Sequence, residues 1–178
     1  IRNVGLYDVT FLAYGSLLGY VREKGFISGD HDMDLGILAD QVTAEQTSAY
    51  RKELKEAGLY AYREAFAKNP VTKKLFWTSL RMHPHGKGYK CCNWFMFQHK
   101  GIMYHHKGKG ARIKGAPAEL FVIGPEVEFL GTKIHAPKYS GALCDFWYPD
   151  WATKRSGNSF GVDMKVGSWG DKSTWKRV

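Results

Sequence analysis

Asp32 and Asp34 stand two residues apart in the run Asp30-His31-Asp32-Met33-Asp34-Leu35-Gly36-Ile37, where charged and apolar residues alternate. Alternation of period two is a strand pattern, so both carboxylates are expected on one face while Met33 and Leu35 turn into the core. Carboxylates held that close repel each other unless a cation lies between them. Mg²⁺, or Mn²⁺ in its place, suits such a pair, because it takes hard oxygen ligands and keeps positions for water and substrate phosphates. Upstream, Gly15-Ser16 joins a strand-like run to a helical one. Free backbone N–H groups and the positive end of that helix would then face the carboxylates, an arrangement that binds phosphate. Arg22 and Lys24, at the far end of the same short helix, can add cationic contacts to phosphate oxygens. The candidate catalytic and metal-ligating residues are therefore Asp32 and Asp34, and the candidate phosphate-binding residues are Gly15, Ser16, Arg22 and Lys24. Each feature is common alone. The ordered combination of strand, Gly-Ser, helix and Asp-x-Asp on a second strand is much more specific.

The elements that must position these residues follow from periodicity. Residues 9–14 read as a buried strand ended by Gly15-Ser16, with Leu17, Leu18 and Val21 at helical spacing over 16–23. Ser16 is expected as the N-cap and Gly25 as the stop. Thr43 and Gln46 are spaced as a capping box, opening a charged helix that runs to Ala57 before Gly58. Candidate strands follow at 59–66, 74–82, 89–98 and 102–106, and residues 126–135 form one more strand or a hairpin turning at Gly131. Residues 138–147 look helical, with aromatic residues gathered at the end. The expected class is α+β, a mixed sheet flanked by a few helices.

The chain of 178 residues holds 26 Lys and Arg against 17 Asp and Glu, for a net charge of +9. That length suits one domain with a sizeable core. With 44% hydrophobic residues the chain is not disordered, and no apolar run approaches the ~20 residues of a membrane-spanning helix. The opening Ile-Arg-Asn-Val shows neither an initiator Met nor a signal-peptide pattern, and an excised or processed domain, N-terminally truncated, is expected. Residues 65–118 contain no Asp or Glu but eleven bases: Lys68, Lys73, Lys74, Arg81, Lys87, Lys90, Lys100, Lys107, Lys109, Arg112 and Lys114. Such a stretch suits a surface facing phosphates of nucleotides, of polyol-phosphate polymers or of nucleic acid. A second basic region, residues 152–178, has six bases and two acids and reads as an extended tail. Cys91, Cys92 and Cys144 give neither a disulfide framework nor a zinc spacing. His83, His85, His105 and His106 match no standard zinc pattern and read as ordinary strand or surface histidines. Phe146, Trp147, Tyr148 and Trp151 read as the core that seats the last helix rather than as a stacking platform for a base or sugar.

Residues 14–37, YGSLLGYVREKGFISGDHDMDLGI, resemble the core signature of the LicD/fukutin family of phosphotransferases, which has the nucleotidyltransferase fold. Later segments are similar too: 90–106 to the family's paired strands, 126–137 to its Glu-Phe-x-Gly strand, and 146–151 to its closing aromatic element. The resemblance covers a domain of residues 1–152, and the tail 153–178 has no counterpart. It implies Mg²⁺-dependent transfer of phosphocholine or a polyol phosphate from a CDP-activated alcohol to a hydroxyl of a glycan or teichoic-acid-like polymer. Asp32 and Asp34 would hold the metal against the diphosphate. It also implies a cytoplasmic site if the protein is bacterial and the Golgi lumen if it is a eukaryotic fukutin-like protein. One departure matters. The family usually has a third acid on the strand that begins near Lys90, and the aligned position here is Asn93. Three readings stay open: a one-metal enzyme with the Asn93 carbonyl oxygen as a neutral ligand, compensation by Asp30 from the face of Asp32 and Asp34, or a binding and assembly module that has lost the reaction, with the tail taking a protein partner. A nucleic-acid-binding role ranks last, because the acidic strand at 30–34 would repel a phosphate backbone and no familiar nucleic-acid module is present.

Overall fold

The apolar run after Val9 forms β1 (Thr10–Leu12), all three residues of which are buried. The chain enters α1 (Tyr14–Glu23) almost at once. The computed structural model describes residues 1–30, 32–38, 41–68, 75–84, 92–99, 102–105, 114–148 and 150–153. Helix α1 begins two residues earlier than its periodicity suggests. Ala13, not Ser16, is the N-cap and offers no side-chain cap. Ser16 lies within the first turn, fully buried. The helix stops at Lys24, which takes a left-handed conformation (φ 59°), while the N–H of Gly25 donates to the Gly19 carbonyl at 3.3 Å. A turn closed by the Asp30 N–H on the Ile27 carbonyl (2.9 Å) then leads toward β2 (Met33–Leu38).

Helix α2 (Ala44–Glu56) carries the expected capping box: the Gln46 N–H donates to Thr43 Oγ1 and the Thr43 N–H to Gln46 Oε1, at 3.1 and 3.0 Å. Gln46 also donates to the Val4 and Gly5 carbonyls, tying the amino-terminal segment to this helix. Thr43→Ala is expected to lower stability by about 1 kcal/mol, the usual worth of such a cap, as a shift in the urea midpoint at constant slope.

The remaining elements are β3 (Leu59–Lys68), β4 (Leu75–Pro84), β5 (Cys92–His99), β6 (Ile102–His105), β7 (Lys114–Pro117), β8 (Ile123–Phe129), β9 (Thr132–Pro137) and α3 (Ser140–Trp147). Among the described residues the strands join in one mixed sheet of order β3-β4-β5-β2-β1-β9-β8, with β6 and β7 continuing from β5. Strand β2 is central: it runs antiparallel to β1 and parallel to β5. The 126–135 segment is a hairpin. Leu130 and Gly131, both at positive φ (55° and 74°), make the turn, as two-residue hairpin loops require. Four-residue β7 and the 3-10 turn Ala118–Phe121 escape the periodicity reading, since Lys-Gly-Ala-Pro is too short to show a period.

The α+β class is as expected. The core packs Phe11, Leu12, Leu17, Phe129 and Leu143, each with no exposed surface. Trp147 joins it at 4.5 Å from the Tyr14 ring and 5.9 Å from Phe121, so this member of the aromatic cluster seats α3. Among the described residues no helix is long and apolar enough to cross a membrane. The 152–178 tail beyond Thr153, with His85 and His106, lies outside the described residues.

Candidate functional site

Asp34 is bound to the β1–α1 junction through its backbone and its side chain. The Ala13 N–H donates to the Asp34 carbonyl at 3.0 Å, and the Asp34 N–H donates to Ser16 Oγ at 2.8 Å. The Gly15 N–H donates to Asp34 Oδ2 at 3.2 Å. The carboxylate therefore does for α1 what Ala13 cannot, accepting from a first-turn N–H at the positive end of the helix. Ser16 is a positioning residue. Its hydroxyl is buried under the strand, which corrects its expected place as N-cap and as a contact for incoming phosphate.

A second carboxylate meets Asp34 there. A Cβ built on Gly15 would lie 2.8 Å from Asp30 Oδ2 and 3.3 Å from Asp34 Oδ2. Both oxygens thus crowd one point at the amino end of α1, and only a residue without a side chain leaves room for them. Strand parity predicts Asp32 as the partner of Asp34, but the carboxylate that joins Asp34 at Gly15 is that of Asp30. The reason is local: residue 32 lies in a bend ahead of β2, so alternation does not extend back to it. Among the described residues no group of three or more His, Cys, Asp or Glu is gathered to hold an ion by itself. Two carboxylate oxygens converging beside a helix amino end fit Mg²⁺, which commonly binds one or two carboxylates and completes its shell with water and substrate phosphate.

Two tyrosines, read from the sequence only as strand and core residues, feel the charge of this acidic pair. Burial pushes the Tyr148 phenol well above its ordinary pKa, with Asp34 and, more weakly, Cys144 and Asp30 adding to the effect. Burial likewise raises Tyr14, helped by Tyr148 and Asp34. Both phenols thus stay protonated near neutral pH. Tyr14 also takes a left-handed backbone conformation (φ 40°), a strain typical of functional turns and offset here by burial of its ring against Trp147. Cys144 is fully buried, and burial pushes its thiol up to about 12, which removes it as a nucleophile.

The cations of α1 stand apart from this pair. Arg22 lies seven residues beyond Gly15, about 10 Å along the helix axis. Its Nε donates to Glu23 Oε1 at 2.8 Å and its Nη1 to the Trp151 carbonyl at 3.3 Å, so it fastens α1 to the segment after α3. Lys24 is exposed and donates to the Val21 carbonyl at 3.3 Å. The structure brings Gly15, Asp30 and Asp34 together and leaves Arg22 and Lys24 at the other end of the helix. Asn93 stands in register with Asp34 on the adjacent parallel strand β5.

A family model described as "LicD/FKTN/FKRP, nucleotidyltransferase domain" matches residues 8–139, which include β1, α1, β2 and every strand through β9. No curated protein matches the chain.

Proposed function

The chain belongs to the LicD/FKTN/FKRP nucleotidyltransferase-domain family, and on that premise we propose that it transfers a phospho-alcohol group from a CDP-activated alcohol to a hydroxyl of a glycan or polyol-phosphate polymer. The observation that best supports this reading is the convergence of Asp30 and Asp34 on Gly15 at the amino end of α1. Asp34 and Asp30, with Asp32 close in sequence, would hold Mg²⁺, which when bound supplies positive charge against the diphosphate and the leaving CMP. The chain's own part is placement. Asp34 is fixed by three hydrogen bonds to the β1–α1 junction, so no reorganisation is needed when charge develops. The amino end of α1 adds a partial positive charge on the same side. Attack by the acceptor hydroxyl in line with the departing CMP then asks the protein chiefly for positioning.

Asn93 favours a second reading, a binding and assembly module on the same fold. It stands in register with Asp34 on β5, at a position where the family pattern has an acid and this chain has a neutral residue. One experiment separates the two: CMP release from CDP-choline and CDP-ribitol, with Mg²⁺ and a polyol-phosphate acceptor, by the unmodified protein and by Asn93→Asp. Release from the unmodified protein, rising in Asn93→Asp, is the expected result. No release from either, with Mg²⁺-dependent CDP binding retained, makes the binding module the better account.

A further inference from the structure

The residues that end and follow α3 hold α1 at both of its ends. Tyr14, Leu18 and Arg22 are spaced four apart and so share one face of the helix. At the amino end, the Trp147 ring lies 4.5 Å from the Tyr14 ring. At the carboxyl end, about 12 Å further along the axis, Arg22 Nη1 donates to the Trp151 carbonyl at 3.3 Å. Trp151 is fastened twice more. Its N–H closes a turn on the Tyr148 carbonyl at 3.0 Å, and its indole Nε1 donates to Asp145 Oδ1 at 2.6 Å. The Tyr148 N–H donates in turn to the Cys144 carbonyl at 2.8 Å. The backbone of Tyr148 is thereby bound on both sides, to α3 through its N–H and to Trp151 through its carbonyl.

The side chain of Tyr148 is held differently. It is partly buried and packs against the core, yet among the described residues its hydroxyl has no hydrogen-bond partner. A phenol taken so far out of water usually finds one. Its surroundings place it toward the acidic pair. Trp147, the residue before it, lies against Tyr14, and Tyr14 is followed by Gly15, whose N–H donates to Asp34. Beyond burial itself, the groups whose charge acts on the phenol are Asp34, Cys144 and Asp30. Ionised carboxylates only accept hydrogen bonds, so they bind a cation and repel the phosphate that arrives with it. A phenol, protonated at neutral pH, offers that phosphate a donor without a positive charge that would compete with Mg²⁺ for the carboxylates.

We propose that the Tyr148 hydroxyl donates a hydrogen bond to a phosphate oxygen of the ligand held at Asp30 and Asp34, and that Arg22, Trp151 and Asp145 are positioning residues that set it there. The inference rests on the transferase reading given above and adds a neutral donor to that site. Arg22 then serves the phosphate without touching it, from the other end of α1, through Trp151 and the turn that fixes Tyr148.

Calorimetric titration of the purified chain with CDP and with inorganic pyrophosphate, each with Mg²⁺, tests this. Tyr148→Phe removes the hydroxyl and keeps the ring. It is expected to weaken both probes by about tenfold, as loss of a hydrogen bond to a charged group does. Its melting temperature without ligand should match that of the unmodified chain, because the hydroxyl gives up no bond among the described residues. Arg22→Lys keeps a cation beside Glu23 without the planar fork, and Trp151→Phe removes the N–H that reaches Asp145. Each should weaken the probes less than Tyr148→Phe does, and neither should add a loss when combined with it, since all act through one hydroxyl. If CDP with Mg²⁺ binds the unmodified chain and Tyr148→Phe equally, the donor role is overturned and the transferase reading survives. If pyrophosphate binds in a Tyr148-dependent way and CDP does not bind, the donor role stands and the CDP reading falls. Losses that multiply in the double variants overturn the positioning role of Arg22 and Trp151. Binding of neither probe by the unmodified chain overturns both the donor role and the transferase reading.

Discussion

Gly15→Ala is expected to abolish Mg²⁺-dependent CDP binding while leaving the unfolding midpoint unchanged or slightly raised. Alanine is the better helix residue by about 1 kcal/mol, and Gly15 lies in the first turn of α1. The new methyl group would stand 2.8 Å from Asp30 Oδ2 and 3.3 Å from Asp34 Oδ2. These atoms end short side chains, so they can swing aside at small cost to the fold, but the convergence of the two carboxylates is then lost. Gly19, four residues along the same helix, provides the contrast. A Cβ there would lie 2.4 Å from the backbone carbonyl oxygen of Gly25, which cannot swing aside without moving the loop. Gly19→Ala is therefore expected to destabilise the protein by ~1–3 kcal/mol, the usual cost of overpacking. Urea denaturation and calorimetric titration on both variants check the pair of outcomes. A Gly15→Ala protein that binds Mg²⁺ and CDP normally would remove the Asp30–Asp34 convergence from any part in ligand binding.

Legibility in the sequence tracked the range of the interaction involved. The capping box at Thr43 and Gln46 is written within four residues and forms as the pattern predicts, and the segment around Gly131, open in sequence as a strand or a hairpin, is a hairpin. The start of α1 is not local. Gly15-Ser16 looks like punctuation with a hydroxyl cap, but the group that accepts from the first turn is Asp34, nineteen residues away. With that acceptor supplied from β2, helix formation extends back to Tyr14, and Ser16 is free to hold the Asp34 N–H. The approach of Asp30, rather than Asp32, to Gly15 has the same origin. Period-two alternation describes residues already in a strand, and β2 begins only at Met33. Arg22 and Lys24 were legible as cations on the right helix. Their distance from Gly15 follows from the rise of the helix itself, and the partner of Arg22 beyond α3 has no local signal.

Asp34 has two separable duties, and replacing it should expose both. Asp34→Ala removes the carboxylate charge and also the acceptor for the Gly15 N–H. The N-cap residue Ala13 makes no side-chain cap of its own, so the loss should cost about 1 kcal/mol, as for other missing caps. This outweighs the relief of repulsion from Asp30 that the spacing of the carboxylates alone would suggest. Asp34→Asn retains a carbonyl oxygen for that N–H and removes only the charge, so its stability should lie close to that of the unmodified chain. Activity should not divide in this way. Both variants lose an anionic oxygen directly beside Asp30, and loss of CMP release by ~100-fold or more is expected in each, since even groups behind a metal's ligands are worth up to that. The decisive comparison is therefore urea midpoint against CMP release for the three proteins. If Asp34→Asn keeps full Mg²⁺-dependent turnover, the carboxylate serves only as a helix cap, and the reaction must be sought elsewhere on the fold. If both variants fall together in activity but part in stability, the residue that starts the helix is also the one that holds the charge for catalysis.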